Sequence, residues 1–400
     1  MIRSLRLVNY RSYRDCQLTL EPLTVFIGPV GGGKSNVFRA LALLKDTVTH
    51  EPAELFGPYP YDFWSHRHRG VSTSTDAIGI HATVTEVQGF PQDMTAHYRL
   101  ELGVLGGETC IVREVLDRGG LGTGGLAETL FDRRQVPADI GEFGYVEPGD
   151  LSILGQARRM AGPNSSERVG FAAGVADQLY LQGYHHLEVD DLRQPSYGDD
   201  EKARRHRLSY TGKDLPAALA CIRDERAGSY DEICHETTEL LRGLQELRLT
   251  RVGQGGLGLA FQFENQEGYL SSADVSDGTL LTLGLLAIAK QPTLPATLMI
   301  EEPETGIHPG RLRWIVEQFD EIAHRDDGLP PTQVLISTHS PYLLDQFHEQ
   351  PEAVRVVECL DGASRVRALP EVLDELQVTH DDIEPDSLGR MWYARLLEEA

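Results

Sequence analysis

Gly28-Pro29-Val30-Gly31-Gly32-Gly33-Lys34-Ser35 is the stretch that decides the fold. It follows the apolar run Val25-Phe26-Ile27, which closes a predicted strand over residues 18–27, and it precedes a predicted helix from Ser35 to Leu44. A buried strand, a glycine-rich turn and a helix in that order fit the spacing G-x-x-x-x-G-K-[ST] of a phosphate-binding loop. Glycines let backbone N–H groups curl around an anion, and the helix N-terminus adds the positive end of its dipole. Lys34 is then placed to reach the β- and γ-phosphates of ATP, and the Ser35 hydroxyl to coordinate Mg2+. The chain has five lysines, and one of them stands here.

Near the other end of the chain, Thr297-Leu298-Met299-Ile300-Glu301-Glu302-Pro303 reads as an apolar strand that delivers two carboxylates. Neighbours on a strand face opposite sides. Glu301 is therefore expected to serve the Mg2+ shell and Glu302 to face the γ-phosphate and polarise the attacking water. Glu304, Thr305 and His308-Pro309 follow as a loop entering a helix, with His308 either functional or only a turn residue.

Two further segments belong with these. Val275-Ser276-Asp277-Gly278-Thr279 precedes an apolar helix, and read alone Ser276 is an ordinary helix cap. Ser276 and Gly278 also suit an anion site at a helix N-terminus. Val334-Leu335-Ile336-Ser337-Thr338-His339 is a buried strand ending in a histidine one strand after the carboxylates, which suggests His339 as a γ-phosphate sensor.

Around these motifs the pattern predicts an α/β fold with a parallel core sheet wound by helices. The last third alternates helix and strand: helix 278–290, strand 297–300, helix 311–323, strand 333–337 and helix 342–347. Alternation of apolar and polar residues over 78–87, 97–105 and 109–115 predicts an antiparallel meander, and residues 119–125 a glycine-rich loop. Residues 50–70 read as irregular, whereas 171–181, 215–222 and 233–247 carry helical spacing ahead of strands near 247–252 and 257–263. The expected organisation is a single split head: residues 1–49 and 264–400 as nucleotide-binding core, 50–150 as a β-rich lobe and 151–263 as a mainly helical insertion. Sustained heptads are missing, which argues against a long coiled-coil arm.

Composition sets the outer bounds. No apolar run is long enough to span a bilayer and the N-terminal residues have no leader pattern, so a cytoplasmic protein is expected. Five cysteines without a C-x-x-C pair suggest neither a disulfide framework nor a zinc site. A net charge of −24 repels a polyanion unless cations gather locally. Arg158-Arg159 and the run Lys202 to Arg207 are the candidate DNA contacts, each more readily read as a solvated loop. The acidic run Asp381 to Asp386 reads as solvated.

Taken in order, VNYRSYRD, FIGPVGGGKSN, VSDGTLLTLGLLAIA, LMIEEPETGIHP, ISTHSPYLLD and LGRMWYARLL resemble the AAA-type, ABC-like ATPases of the OLD, RecF and SMC class. The likeness is dense at both ends and loose between about 50 and 270, where LRQPS at 192–196 contributes. It implies an ATPase head that dimerises around two ATP molecules, the loop, Glu301, Glu302 and His339 of one subunit facing Ser276 to Gly278 of the other. Val30 departs from the family pattern by lacking a polar side chain, which implies slow turnover. The signature SDGT is similar to the OLD-like branch. Gln156 is a candidate glutamine-loop residue and reads equally well as a solvent-facing side chain. DNA repair, DNA sensing or phage defence is the expected setting, with an ATP-gated scaffold for an effector encoded nearby as the alternative and a transport subunit as a weaker one. A nuclease would need a further metal-dependent domain, and the roughly sixty residues after His339 are expected to be too few for one.

Overall fold

The computed structural model describes residues 1–56, 60–69, 77–120, 127–134, 138–146, 150–197, 208–326, 328–379 and 383–397. Strands β1 (Ile2–Tyr10), β2 (Tyr13–Thr19) and β3 (Leu23–Ile27) lead through the glycine loop into helix α1 (Lys34–Thr47), followed by α2 (Pro52–Leu55) and α3 (Pro60–Ser65). Next come β4 (Ile78–Thr85), β5 (Met94–Leu105), β6 (Glu108–Gly120), β7 (Glu128–Arg134) and the short pair β8 (Ala138–Asp139) and β9 (Tyr145–Val146). Helices α4 (Ile153–Met160) and α5 (Glu167–Tyr180), β10 (Gln182–His185), α6 (Val189–Leu192), α7 (Leu215–Glu225) and α8 (Ala227–Leu240) follow. The rest runs β11 (Leu244–Val252), β12 (Gly256–Phe263), β13 (Leu270–Ser271), α9 (Asp277–Ala289), β14 (Thr297–Glu301), α10 (Pro309–Ala323), β15 (Gln333–Thr338) and α11 (Pro341–Leu344). It closes with β16 (Val354–Leu360), β17 (Ala363–Ala368), α12 (Leu369–Glu375) and α13 (Ser387–Tyr393).

The chain divides into two compact units, each discontinuous in sequence. The first comprises Met1–Gln182, Gln350–Asp382 and Arg395–Ala400. It holds an antiparallel sheet in the order β2-β1-β4-β5-β6-β7 and the strand set β3-β16-β17. β3 is buried along its whole length, as a strand covered on both faces must be, and runs parallel to β16 with Phe26 opposite Arg355. Glu114 of β6, fully buried, accepts hydrogen bonds from Ile153 N, Leu154 N and the Tyr98 hydroxyl and faces Arg133 at 3.8 Å. A carboxylate thus meets the positive N-terminal end of α4.

The second unit comprises Gly183–Glu349 and Ile383–Ala394. Here β14 and β15 run parallel, in register from Thr297↔Gln333 to Glu301↔Ser337, and β10 flanks β14. β11, β12 and β13 form a small antiparallel sheet. Apart from its first two residues, α9 is buried all round, which is why its sequence is apolar on every face.

Besides strands the sequence reading did not include, such as β7, β10, β16 and β17, several expected elements take other forms in the structure. The strand expected over 18–27 breaks at Leu20 to Pro22, because proline has no N–H to give a ladder. Residues 50–70 contain α2 and α3, each with proline in its first turn, instead of an irregular loop. Gly119 and Gly120 finish β6, and the remainder of the expected glycine loop lies outside the described residues. The helix expected over 233–247 instead ends at Leu240, and Gly243, at φ +81°, turns the chain into β11. Among the described residues no helix is long and apolar enough to cross a membrane.

Candidate functional site

In the first unit the loop after β3 is shaped by glycine. Gly31 has φ +80° and Gly33, which caps α1, has φ +114°. A methyl group at Gly28 would lie 2.5 Å from Val357 O, so the strand β16 also requires glycine there. Two of the loop's carbonyls are tied by side chains from outside it: Ser364 Oγ donates to Gly32 O at 2.6 Å and the Tyr13 hydroxyl to Gly33 O at 3.1 Å. Gly32 N donates to Pro29 O at 3.0 Å and Asn36 N to Gly33 O at 2.9 Å, while the N-terminal end of α1 carries the positive end of the helix dipole, which suits an anion. Lys34, 6% exposed, donates to Gly28 O at 2.7 Å and Pro29 O at 3.0 Å, a folded-back pose across the loop. Val30 is 85% exposed at the loop's tip, where a side chain can change without disturbing the cradle. Ser35 lies in the first turn of α1. Burial holds the Tyr13 hydroxyl well above an ordinary tyrosine, so it remains a donor.

In the second unit β14 ends in Glu301, 8% exposed. The Tyr184 hydroxyl donates to Glu301 Oε1 at 2.9 Å, Tyr210 stands 3.5 Å from Oε2, and His186 Nδ1 is 3.6 Å from Oε2. Glu302 does not continue the strand. Its φ of +46° is left-handed and its N–H is held by Ser337 O at 2.8 Å. The two carboxylates diverge because of this turn, rather than by the strand alternation the sequence suggests. His339 Nδ1 lies 3.4 Å from Glu302 Oε1, longer than a well-formed hydrogen bond. Glu304 braces the pair from behind, accepting from the Thr338 hydroxyl at 2.5 Å and from His339 N at 3.2 Å. His308 caps α10, its Nδ1 accepting from Gly310 N at 3.1 Å, so its turn role is real.

Ser276 caps α9 by accepting from Thr279 N at 3.3 Å. Gly278 packs against the loop after β14, where a methyl group would come within 2.8 Å of Gly306 O. The approach to this turn is fastened by Arg193, whose guanidinium donates to Ser272 O at 2.6 Å, Ala273 O at 3.0 Å and Val275 O at 3.1 Å and pairs with Asp277 at 2.6 Å. A cleft of about 750 Å3 opens beside Ser276 and Thr279, with Arg242, Gln266, His308 and Arg311 on its walls.

Gln156 lies on α4 of the first unit and donates from its amide to Leu151 O at 3.2 Å. Arg158 pairs with Asp177 at 2.6 Å and stacks 4.0 Å over Tyr180, so its charge is engaged inside the unit. The basic run Lys202 to Arg207 and residues Asp381 and Asp382 lie outside the described residues. Sequence reasoning missed Ser364, Tyr184, His186 and Tyr210, and it gave no role to Tyr13, Arg193 or Glu304. The last three did carry a signal, Tyr13 within VNYRSYRD, Arg193 within LRQPS and Glu304 within LMIEEPETGIHP.

No group of three or more His, Cys, Asp or Glu able to hold a metal ion occurs among the described residues. Mg2+ does not need one, since it keeps waters and phosphate oxygens and takes one or two hard protein oxygens. The Ser35 hydroxyl in the first unit and the Glu301 carboxylate in the second, whose Oε2 lies 3.5 Å from Tyr210 and 3.6 Å from His186, are each hard oxygens of that kind.

The fold is that of a P-loop ATPase head of the SMC type. The SMC head bound to the C-winged helix domain of ScpA superposes with a TM-score of 0.56 at 13% identity, covering 93% of this chain and 99% of that one. An Smc head with an extended coiled coil, bound to the C-terminal domain of ScpA and derived from Pyrococcus furiosus, gives 0.50 at 14% identity, covering 94% and 98%. The chain belongs to the family described as "AAA domain, putative AbiEii toxin, Type IV TA system", whose model matches residues 142–345, and the model "AAA ATPase domain" matches residues 1–85. It is an AAA-type, ABC-like ATPase of the OLD, RecF and SMC class. The OLD nuclease of Thermus scotoductus is 26% identical over 373 residues, 89% of this chain. The chain spans 62% of that relative's length. The DNA replication and repair protein RecF of Corynebacterium jeikeium is 44% identical over 50 residues, 12% of each chain.

Proposed function

We propose that the chain is a Mg2+-dependent ATPase that closes as an ATP-gated homodimer and acts, in the cytoplasm, in DNA repair, DNA sensing or phage defence. The observation that carries this reading is Glu302, turned out of its strand by a left-handed residue and set 3.4 Å from His339. A carboxylate so placed can take a proton from a water it orients, and the histidine can follow the charge on the departing phosphate. Lys34 and the N–H groups after Gly31 bind the phosphates, Ser35 and Glu301 serve the metal, and the Ser276 to Gly278 turn is offered to the nucleotide of a second copy. Mg2+, when bound, neutralises phosphate charge. The relatives named as a nuclease and as a DNA repair protein favour DNA as the ligand that turnover serves. With a net charge of −24, that contact must be local and sensitive to salt.

Lys34→Ala is expected to abolish nucleotide binding. Glu302→Gln is expected to retain ATP, lower turnover by about a hundredfold or more, and elute as a dimer in ATP during size-exclusion chromatography. Wild-type hydrolysis by Glu302→Gln would remove the assigned base. Unchanged turnover with single- and double-stranded DNA at low salt would remove DNA as the stimulus and leave an effector protein.

A further inference from the structure

Glu301 is the carboxylate assigned to the metal, yet three side chains that no motif includes converge on it. Tyr184 stands on β10, the strand flanking β14. His186 and Tyr210 are brought beside it because His186 N donates to Tyr210 O at 2.9 Å and Glu188 N to Thr211 O at 3.0 Å, so the chain after β10 is zipped to residues 210 and 211. The rings then pack: Tyr184 against Tyr210 edge-on at 4.9 Å, and His186 stacked on Tyr210 at 6.2 Å. The cluster treats the two carboxylate oxygens unequally. Oε1 receives a well-formed hydrogen bond at 2.9 Å, whereas Oε2 faces Tyr210 at 3.5 Å and His186 at 3.6 Å, both at or beyond hydrogen-bonding range.

We propose that Tyr184 is a positioning residue that pins Glu301 Oε1 and so presents Oε2 to the Mg2+ shell, with Tyr210 and His186 as the ring wall that holds Tyr184 in place. This rests on the assignment of Glu301 to the metal. A carboxylate with one oxygen fixed has lost its side-chain rotation before the ion arrives, and partners of this kind typically change metal affinity by tenfold or more. The ring contact and the hydroxyl contact are separable, because phenylalanine keeps the packing on Tyr210 and loses only the donor.

The test uses the full-length chain loaded with ADP, with Mn2+ as a paramagnetic substitute for Mg2+, and follows free Mn2+ by electron paramagnetic resonance. Tyr184→Phe is expected to weaken Mn2+ binding about tenfold, while ADP affinity in EDTA and the melting temperature stay at wild-type values. Tyr210→Phe, which removes the longer contact to Oε2, is expected to cost less. Glu301→Gln is the reference and should lose the site. Mn2+ affinity within twofold of wild type in Tyr184→Phe, while Glu301→Gln fails to bind, would overturn the inference and leave the metal assignment standing. Wild-type Mn2+ affinity in Glu301→Gln would sink the metal assignment, and this inference with it. Parallel loss of ADP affinity in EDTA, or a larger loss in Tyr210→Phe, would show a merely structural ring cluster.

Discussion

A single methyl group distinguishes Gly28, which the sequence motif fixes, from Gly31, which it leaves open. At Gly28 it would sit 2.5 Å from Val357 O, and the obstacle is backbone. At Gly31 it meets nothing within 4 Å, and only the left-handed φ of +80° opposes it, a cost of about 1 kcal/mol. Gly28→Ala is therefore expected to lower the melting temperature by several degrees and to weaken nucleotide binding severely. Gly31→Ala should melt close to wild type with only a modest loss of affinity. Thermal unfolding and fluorescent-nucleotide titration of the two variants check the order, and the reverse order would mean that the close approach of β16 is not what fixes the loop. The same scale marks a limit of sequence reading. Glu302 is visible as a residue type after an apolar strand, but its left-handed turn follows from the hydrogen bond to Ser337 O, a partner thirty-five positions away.

Within elements, cross-strand register decides the environment of His81. On β4 it lies opposite Arg6 of β1 and Arg99 of β5. Burial, then the charges of Arg6 and Arg99, with a further contribution from Arg113 and against the pull of Asp15, lower it from an ordinary value of 6.5 to about 4. The unfolded chain binds this proton below about pH 6.5 and the folded chain only near pH 4, so stability present above 6.5 is lost as the pH falls through that window. His66, also lowered by burial, adds to the trend. Replacing His81 with Gln is expected to flatten the decline of the urea midpoint between pH 6.5 and 4 relative to wild type. Parallel curves would show that His81 is solvated. The register itself was beyond the sequence, although the strands were legible where inward and outward positions alternate, as over Tyr98 to Leu102 of β5. Helix α8 was misplaced because the leucines of Leu240 to Leu249 satisfy both helical and strand spacing, and only the left-handed Gly243 separates them.

On the scale of the whole molecule, the motifs at both ends were readable because phosphate chemistry restricts the residue types allowed there. The tyrosines behind Glu301, the arginine that fastens the loop before α9 and the donors to the glycine loop were not, since any hydroxyl or guanidinium in the right place would serve. Their positions follow from packing between distant segments. Ser364 is 332 positions from the Gly32 carbonyl it satisfies, and β16 lines the loop through Val357. Removing residues 354–368 should therefore leave Lys34 and its loop unable to hold nucleotide. Internal deletion of β16 and β17, followed by nucleotide titration and circular dichroism, tests this: retained affinity would mean that the loop is self-supporting.

The Ser364 contact also sets an order of events on the ribosome. A nascent chain emerges from its amino end. The Gly33 carbonyl finds Tyr13 at once, but the Gly32 carbonyl, made early, must wait for the β16–β17 hairpin before it is tied back. Translation thus delivers an incomplete cradle until residue 364 has emerged, and only then can nucleotide stabilise the head by mass action.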